Sequence, residues 1–217
     1  MRTEPKHKGV GLAAIVKGLN ANAKAAAAVP EAQRGYLSSG ILPSGWYPER
    51  DYNVLLITLA DSIDRQAVDD VWAYFGRTAA RRDVAGDQES IPARSRTETA
   101  GVYRNLRGGQ PNDVPGLCLR LSKIWGMYHD SGRIVFTRHA LRPHVLVGRL
   151  HEFAFPVRGM AELQTAFSVE FAQLSGIEIN GSLERFEAGA ARCEWHYQLA
   201  ATAENLASLA SLDPDAP

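Results

Sequence analysis

The sequence predicts an α+β fold in which N-terminal helices pack on a four-stranded antiparallel sheet, in the order helices, strand, strand, helix, strand, strand. Apolar residues recur at helical spacing through the first part of the chain and again in a bulky stretch at 114–128. Two pairs of segments alternate apolar and polar residues instead, at 133–139 with 145–153 and at 177–186 with 191–199. Strands grouped late among helices are typical of α+β domains.

The N-terminal part of the chain is predicted to be helical. Alanine, leucine and lysine favour a helix over 9–28. Trp46-Tyr47-Pro48 is expected to lead as an aromatic plug into the next long helix, and a further helix from about residue 65 is expected to close at Gly76. Residues 1–8 are polar and are expected to fray.

The helical periodicity disappears between residues 81 and 101, which are charged, small and turn-rich. This composition predicts an exposed loop, and loops longer than about 12–15 residues are usually functional or disordered. A helix follows at 114–128, and Gly132 is expected to take a left-handed conformation after it. The chain is predicted to form one domain, 1–217, with a helical part at about 9–80, the loop at about 81–101, an α+β part at about 102–200 and a frayed tail.

The last strand has the clearest pattern in the sequence. Cys193, Trp195, Tyr197 and Leu199 point to one face of the strand, and His196 points to the other. Cys193 and His196 are therefore not expected to share a metal ion, and a closed zinc site needs about four ligands. No metal site and no catalytic residue is predicted.

Composition excludes several classes of protein. Lys plus Arg and Asp plus Glu both number 24, so the chain lacks the cationic excess of a protein that binds nucleic acid mainly through phosphate contacts. Two cysteines are too few for a small secreted disulfide scaffold. No run of residues approaches the roughly 20 apolar positions of a membrane span. We expect a cytoplasmic protein.

Four short motifs occur along the chain in a suggestive order. They are Gly9 in the first helix, Trp46-Tyr47-Pro48, Trp125 through Tyr128 to Gly132, and Cys193 with Trp195. In this order they resemble a superfamily of ligand-binding domains from nitric-oxide signalling and Golgi transport. Its members include haem–nitric-oxide/oxygen-binding domains, vinyl-reductase-type sensory domains and the small core subunits of tethering complexes, and the nearest likeness is to a paralogous family abundant in myxobacteria. The resemblance implies this fold, with a pocket between helices and sheet.

The resemblance to the haem-binding members also implies a histidine on a helix and a Tyr-x-Ser-x-Arg clamp for the haem propionates. In this chain Tyr128 and Ser131 are one position too far apart for that clamp, and 114–128 contains no histidine. No cofactor is therefore expected, and haem is disfavoured.

The leading functional hypothesis is a non-enzymatic sensory or adaptor domain that binds a small apolar ligand or a protein partner. Ligand pockets are largely apolar with a few polar groups, and the residues predicted to line one are Trp125, Tyr128, Cys193, Trp195 and Tyr197. The same side chains would equally suit a dry core. A cluster of cations around the long loop is a candidate docking surface for an acidic partner, although a solvated face is the simpler interpretation; it comprises Arg77, Arg81, Arg82, Arg94 and Arg96.

Two alternatives stay open at this point. The chain could be a homo-oligomeric assembly subunit, for which a homodimer is expected. It could also be an enzyme with acid–base histidines, using His129 or His151 beside Asp130 or Glu152.

Overall fold

A computed structural model describes residues 4–64, 68, 70–85, 112–190 and 192–214. The chain forms two compact units: Met1–Val71 with Gly126–Ser131 is the first unit, and Trp72–Trp125 with Gly132–Pro217 is the second. That the whole chain is one domain stays a prediction.

The secondary-structure elements are named here in chain order. They are β1 (Lys6–Lys8), α1 (Gly9–Asn20), α2 (Ala23–Ala28), a 3-10 turn (Glu31–Gln33), α3 (Gly35–Ser38), β2 (Trp46–Pro48), α4 (Glu49–Ser62), α5 (Val71–Ala85), α6 (Val114–Tyr128), β3 (Arg133–Arg138), β4 (Val145–His151), α7 (Arg158–Leu174), β5 (Ile179–Phe186), β6 (Cys193–Leu199) and α8 (Ala203–Ala210).

The first unit contains a short two-stranded sheet that the sequence did not predict. Strands β1 and β2 pair antiparallel, with His7 opposite Tyr47. Residues 1–8 are predicted to fray, and this is wrong for Lys6–Lys8, which form β1. Trp46–Pro48 leads directly into α4 as predicted, but it does so as a strand. Each strand is three residues long and its partner is about forty residues away in the chain, so no local pattern marks the pairing.

The helices of the first unit bury the apolar stripe that the sequence predicts. Leu12 and Leu19 of α1 and Leu55 of α4 are fully buried. The single helix predicted over 9–28 is two helices, because the Asn22 side chain accepts a hydrogen bond from the Ala25 amide at 3.1 Å and begins α2 afresh.

The second unit contains the predicted four-stranded antiparallel sheet, and the α+β fold class is confirmed. The strand order is β3-β4-β6-β5, and every neighbouring pair is antiparallel. Cys193, Trp195, Tyr197 and Leu199 of β6 share the buried face, while His196 lies on the other. Helix α7 packs against β5.

Helix α5 departs from the prediction at both ends. It begins at Val71 and continues through Gly76 to Ala85. Gly76 does not close the helix: a Cβ there would collide with the Leu163 carbonyl and the Phe167 amide of α7, so glycine permits a close approach of two helices. The predicted loop therefore starts after α5, and 86–101 lies outside the described residues.

Other predicted boundaries match closely. Helix α6 spans the predicted residues 114–128, and Gly132 takes the expected left-handed conformation with φ +72°. In the described part of the chain, no helix has both the length and the apolar character needed to cross a bilayer.

Candidate functional site

Four aromatic rings of the second unit form its buried centre. Trp125 of α6 packs edge-on against Phe153 and Phe155, with ring centroids 5.0 and 6.0 Å away, and Phe155 packs edge-on against Trp195 at 6.4 Å. The Trp195 indole N–H donates to the Ala161 carbonyl of α7 at 3.1 Å. The rings contact one another in the geometry that aromatic pairs prefer, and all four are buried.

The predicted ligand-binding residues are divided between the two units. Trp125, Cys193, Trp195 and Tyr197 are buried in the second unit, whereas Tyr128 belongs to the first. Burial raises the pKa of the Cys193 thiol to about 12 and also raises that of the Tyr197 hydroxyl, so both are protonated at neutral pH. Their assignment to a ligand pocket stays a prediction.

The predicted docking arginines are only partly described. Arg77 and Arg81 are exposed on α5, where the Arg81 side chain forms a 2.7 Å ion pair with Glu170 of α7. Arg82 lies 3.3 Å from the carboxylate of its neighbour Asp83. Arg94 and Arg96 lie outside the described residues. A docking role for these side chains stays a prediction.

A buried polar cluster occupies the first unit, and we call His7, Glu49 and His129 the His–Glu–His cluster. Three separate elements position it: β1 carries His7, α4 begins with Glu49, and His129 directly follows α6. The backbone joins these elements, because His7 and His129 form an antiparallel bridge and the Glu49 amide donates to the Pro5 carbonyl at 2.8 Å. Asp130 strengthens the junction by accepting a hydrogen bond from the Lys6 amide at 2.6 Å.

Both imidazole rings turn a nitrogen toward one carboxylate oxygen. The Nδ1 atom of His129 is 3.2 Å from Glu49 Oε2, and the Nδ1 atom of His7 is 3.6 Å from the same oxygen. The three side chains are 11 %, 7 % and 3 % exposed for His129, Glu49 and His7. Tyr52 stacks on the His7 ring with centroids 3.4 Å apart.

The electrostatics of the cluster keep Glu49 ionised. Burial alone would raise the pKa of its carboxyl, but hydrogen bonding and charge from His129, and then from His7, outweigh that effect. The pKa is held at about 2, below the ordinary 4.5. A buried carboxylate with two imidazoles is a donor set suited to binding a metal ion, and one donor atom from each residue can be chosen so that all lie within 4.8 Å of one another.

Sequence reasoning missed this cluster. His7 falls in the segment predicted to fray, and no role is predicted for Glu49. His129 was considered only as an acid–base residue beside Asp130. The one local signal was the pair of neighbouring polar residues His129-Asp130 directly after an apolar helix.

A second histidine network lies on the other face of the sheet from Trp195. The Arg142 guanidinium donates to His196 Nδ1 at 2.7 Å, and His196 Nε2 donates to the Glu194 carboxylate at 2.9 Å. Arg149 donates to the same carboxylate at 2.8 Å. Burial raises the pKa of Glu194, but these two hydrogen bonds outweigh it and leave the pKa lowered.

Comparison with known proteins supports the architecture. No protein-family model and no curated protein matches the sequence. One solved structure, from work on haem distortion in the H-NOX family, superposes with a TM-score of 0.56 at 10 % identity, covering 88 % of this chain and 94 % of that one. The fold is that of an H-NOX domain.

Two more H-NOX-type solved structures give the same result with the same coverage. An oxygen-binding H-NOX domain related to soluble guanylate cyclases superposes with a TM-score of 0.52 at 10 % identity. A structure from work on haem redox potential and porphyrin distortion gives 0.53 at 10 % identity. The predicted resemblance to haem–nitric-oxide/oxygen-binding domains is confirmed at the level of the fold, and the likeness to the myxobacterial family stays a prediction.

The comparison corrects one expectation. The sequence predicts no cofactor and disfavours haem, because the Tyr-x-Ser-x-Arg clamp is shifted and 114–128 has no histidine. Solved structures with this H-NOX fold are described as haem proteins, so the expectation of a cofactor-free chain is wrong. The motif argument compared positions in the sequence, and at 10 % identity such positions need not coincide between two chains of one fold.

Proposed function

We propose that this chain is a sensory domain that binds a small ligand through a bound prosthetic group and is not itself a catalyst. The observation that supports the proposal is the H-NOX fold over 88 % of the chain. A sensor of this kind signals only when its ligand has different affinities for two conformations of the protein.

Haem is the prosthetic group that the fold neighbours suggest, and one residue of this chain fits it well. An iron-ligating histidine commonly has its second ring nitrogen bound to a carboxylate, which fixes the tautomer and the ring orientation. His129 meets this requirement, because its side chain is largely buried and its Nδ1 contacts Glu49 at 3.2 Å. We assign Nε2 of His129 as the iron donor and Glu49 as its orienting partner. When bound, haem iron would supply a coordination position for a diatomic gas.

The test is haem loading of the full chain with a matched variant. We expect protein produced with added haem precursor to retain about one haem per chain, with a histidine-ligated absorbance spectrum. His129→Ala should lose the haem or shift its spectrum, and His144→Ala should match the natural protein. A natural chain that retains no haem, or an unchanged spectrum in His129→Ala, would contradict the proposal.

The sequence suggests further details of this sensory role, namely the ligand, the protein partner, the oligomeric state and the location. An apolar ligand contacting Trp125, Tyr128, Cys193, Trp195 or Tyr197, and an acidic protein partner contacting the arginines of α5, extend the same sensory role. Homodimerisation, a cytoplasmic location and kinship with the myxobacterial family belong to the proposal too. Light scattering of the purified chain at micromolar concentration tests the dimer directly, and a strict monomer would remove it.

A further inference from the structure

We infer that the His–Glu–His cluster binds a divalent first-row metal ion, Zn²⁺ foremost, in protein that carries no porphyrin. The inference goes beyond the haem proposal and is independent of it. Haem iron would use Nε2 of His129, whereas the ion would use the Nδ1 atoms that already face Glu49. The whole site lies within the first unit.

Two of the donor-atom spacings are close to those of tetrahedral coordination. Zinc–nitrogen and zinc–carboxylate bonds of about 2.0–2.2 Å place tetrahedral ligand atoms about 3.3–3.6 Å apart. The two nitrogen-to-oxygen distances in the cluster are 3.2 and 3.6 Å. Two donor pairs are therefore spaced much as around a tetrahedral ion, and one donor atom from each residue can be chosen so that all three lie within 4.8 Å of one another.

The rings are held in place by contacts outside the donor set. His7 stacks on Tyr52 with an interplanar angle of 15°, and its ring meets His129 edge-on at 4.7 Å. Gly11 makes room for His7, because a Cβ there would lie 2.5 Å from Nε2. Such outer contacts orient ligating histidines and raise the affinity of a metal site.

The second oxygen of Glu49 favours a cation at this position. Glu49 is buried, and a buried polar group is costly unless each of its polar atoms has a partner. Among the residues that the structure describes, Glu49 Oε1 is buried without a hydrogen-bond partner. A divalent ion bound to Glu49 would neutralise the carboxylate and supply that interaction.

The donor set also indicates which ions fit. Two imidazoles and one carboxylate suit Zn²⁺ and Fe²⁺, and Zn²⁺ binds more tightly in the general order of divalent affinities, whereas Mg²⁺ and Ca²⁺ prefer oxygen ligands alone. Three protein ligands leave a fourth position for water or a small exogenous donor, as in catalytic zinc sites. The site would therefore bind a small ligand through the ion.

The first experiment uses the full chain freed of metal and haem, with its thiols kept reduced. Titration with Zn²⁺ should show one equivalent bound per chain and a rise in Tm, because the ion binds the folded state. Titration with Co²⁺ should produce visible bands of a four- or five-coordinate ion without a thiolate charge-transfer band, since the proposed donors are nitrogen and oxygen.

The second experiment uses variants of single ligands. Glu49→Gln and His129→Asn should each weaken Zn²⁺ binding by more than about 100-fold, because loss of even an outer-shell partner costs about 10–100-fold. His144→Asn, which replaces a histidine of the second unit, should bind as the natural chain does. Circular dichroism checks that each variant folds, and X-ray absorption of the Zn²⁺-loaded natural chain identifies two imidazole donors without any variant.

Several results would overturn the inference. They are a stoichiometry well below one, a thiolate band with Co²⁺, X-ray absorption without two imidazoles, or undiminished Zn²⁺ affinity in folded Glu49→Gln. A natural chain that binds Zn²⁺ but retains no haem would refute the haem proposal alone, and a natural chain that retains haem but binds no Zn²⁺ once freed of haem would refute the ion site alone.

Discussion

The aromatic centre of the second unit and the His–Glu–His cluster of the first are both buried, yet they are built from opposite chemistry. Trp195 is 0 % exposed and its one polar atom donates to a backbone carbonyl. The Glu49 side chain is 7 % exposed but carries a charge, with two imidazoles turned toward it. Packed apolar rings stabilise a fold through burial and dispersion, whereas a buried charge costs free energy and calls for a specific partner.

The aromatic centre stabilises the second unit, whereas the His–Glu–His cluster carries the groups that can bind a ligand. Replacing a ring in the aromatic centre should change stability and leave metal binding in the first unit intact. Replacing a member of the His–Glu–His cluster should lower the affinity for the metal ion strongly and change the free energy of unfolding of metal-free protein less.

The largest effect on stability is expected for Trp195→Ala. The truncation removes a fully buried ring and leaves a cavity, so the free energy of unfolding should fall by about 3–5 kcal/mol. Leu141→Ala is the control, because Leu141 is 87 % exposed and should change stability by less than about 0.5 kcal/mol. Denaturant unfolding measures both, and similar values for the two variants would mean that the aromatic centre does not hold the second unit together.

A smaller loss is expected for Glu49→Gln in metal-free protein. The substitution keeps the shape of the side chain but removes a charged acceptor shared by two imidazoles, and hydrogen bonds to charged groups contribute about 1.5–3 kcal/mol. Glu162→Gln is the matched control, since the ion pair of Glu162 with Arg158 is exposed. An equal or higher free energy of unfolding for Glu49→Gln would show that the buried charge is not stabilised by its partners.

Two glycines on helices offer a matched pair of substitutions. Gly76→Ala should lower the free energy of unfolding by about 1–3 kcal/mol, because the new methyl group meets the backbone of α7. Gly126→Ala should raise it by up to about 1 kcal/mol, because no atom lies within 4 Å of the new Cβ and alanine favours helix. Thermal unfolding of the two variants should shift in opposite directions; shifts of the same sign would refute the close helix contact at Gly76.

The smallest effect concerns the Glu194 network on the sheet. A lowered pKa means that Glu194 contributes stability above its ordinary pKa of 4.5, and that this contribution is lost as the pH falls through the lowered value. The natural chain should therefore lose more stability than Glu194→Gln between about pH 5 and about pH 3, by up to about 1 kcal/mol because the carboxylate is partly exposed. Parallel pH titrations of denaturant midpoints check this, and identical slopes would count against it.

The sheet and α6 could be predicted from the sequence because their signals are local. The alternation of Cys193, Trp195 and Tyr197 identifies both the strand and its buried face, and the helical stripe through Trp125 gives α6 its bounds. In both cases each residue's environment follows from its immediate neighbours.

The His–Glu–His cluster could not be predicted in this way, because its members come from distant parts of the chain. His7 enters the site only through the pairing of β1 with residues 46–48 and 129. The role of Gly76 could not be predicted from local sequence either. A glycine that ends a helix and a glycine that allows a second helix to pack closely have the same sequence signal.

The contact between Gly11 and the His7 ring constrains how this protein can vary. His7 lies in β1 and Gly11 in the first turn of α1, and the space that a side chain at 11 would fill is the space that the imidazole occupies. A natural variant that acquires a larger residue at 11 must therefore also replace the histidine, and substitutions at these two positions should appear together in related sequences.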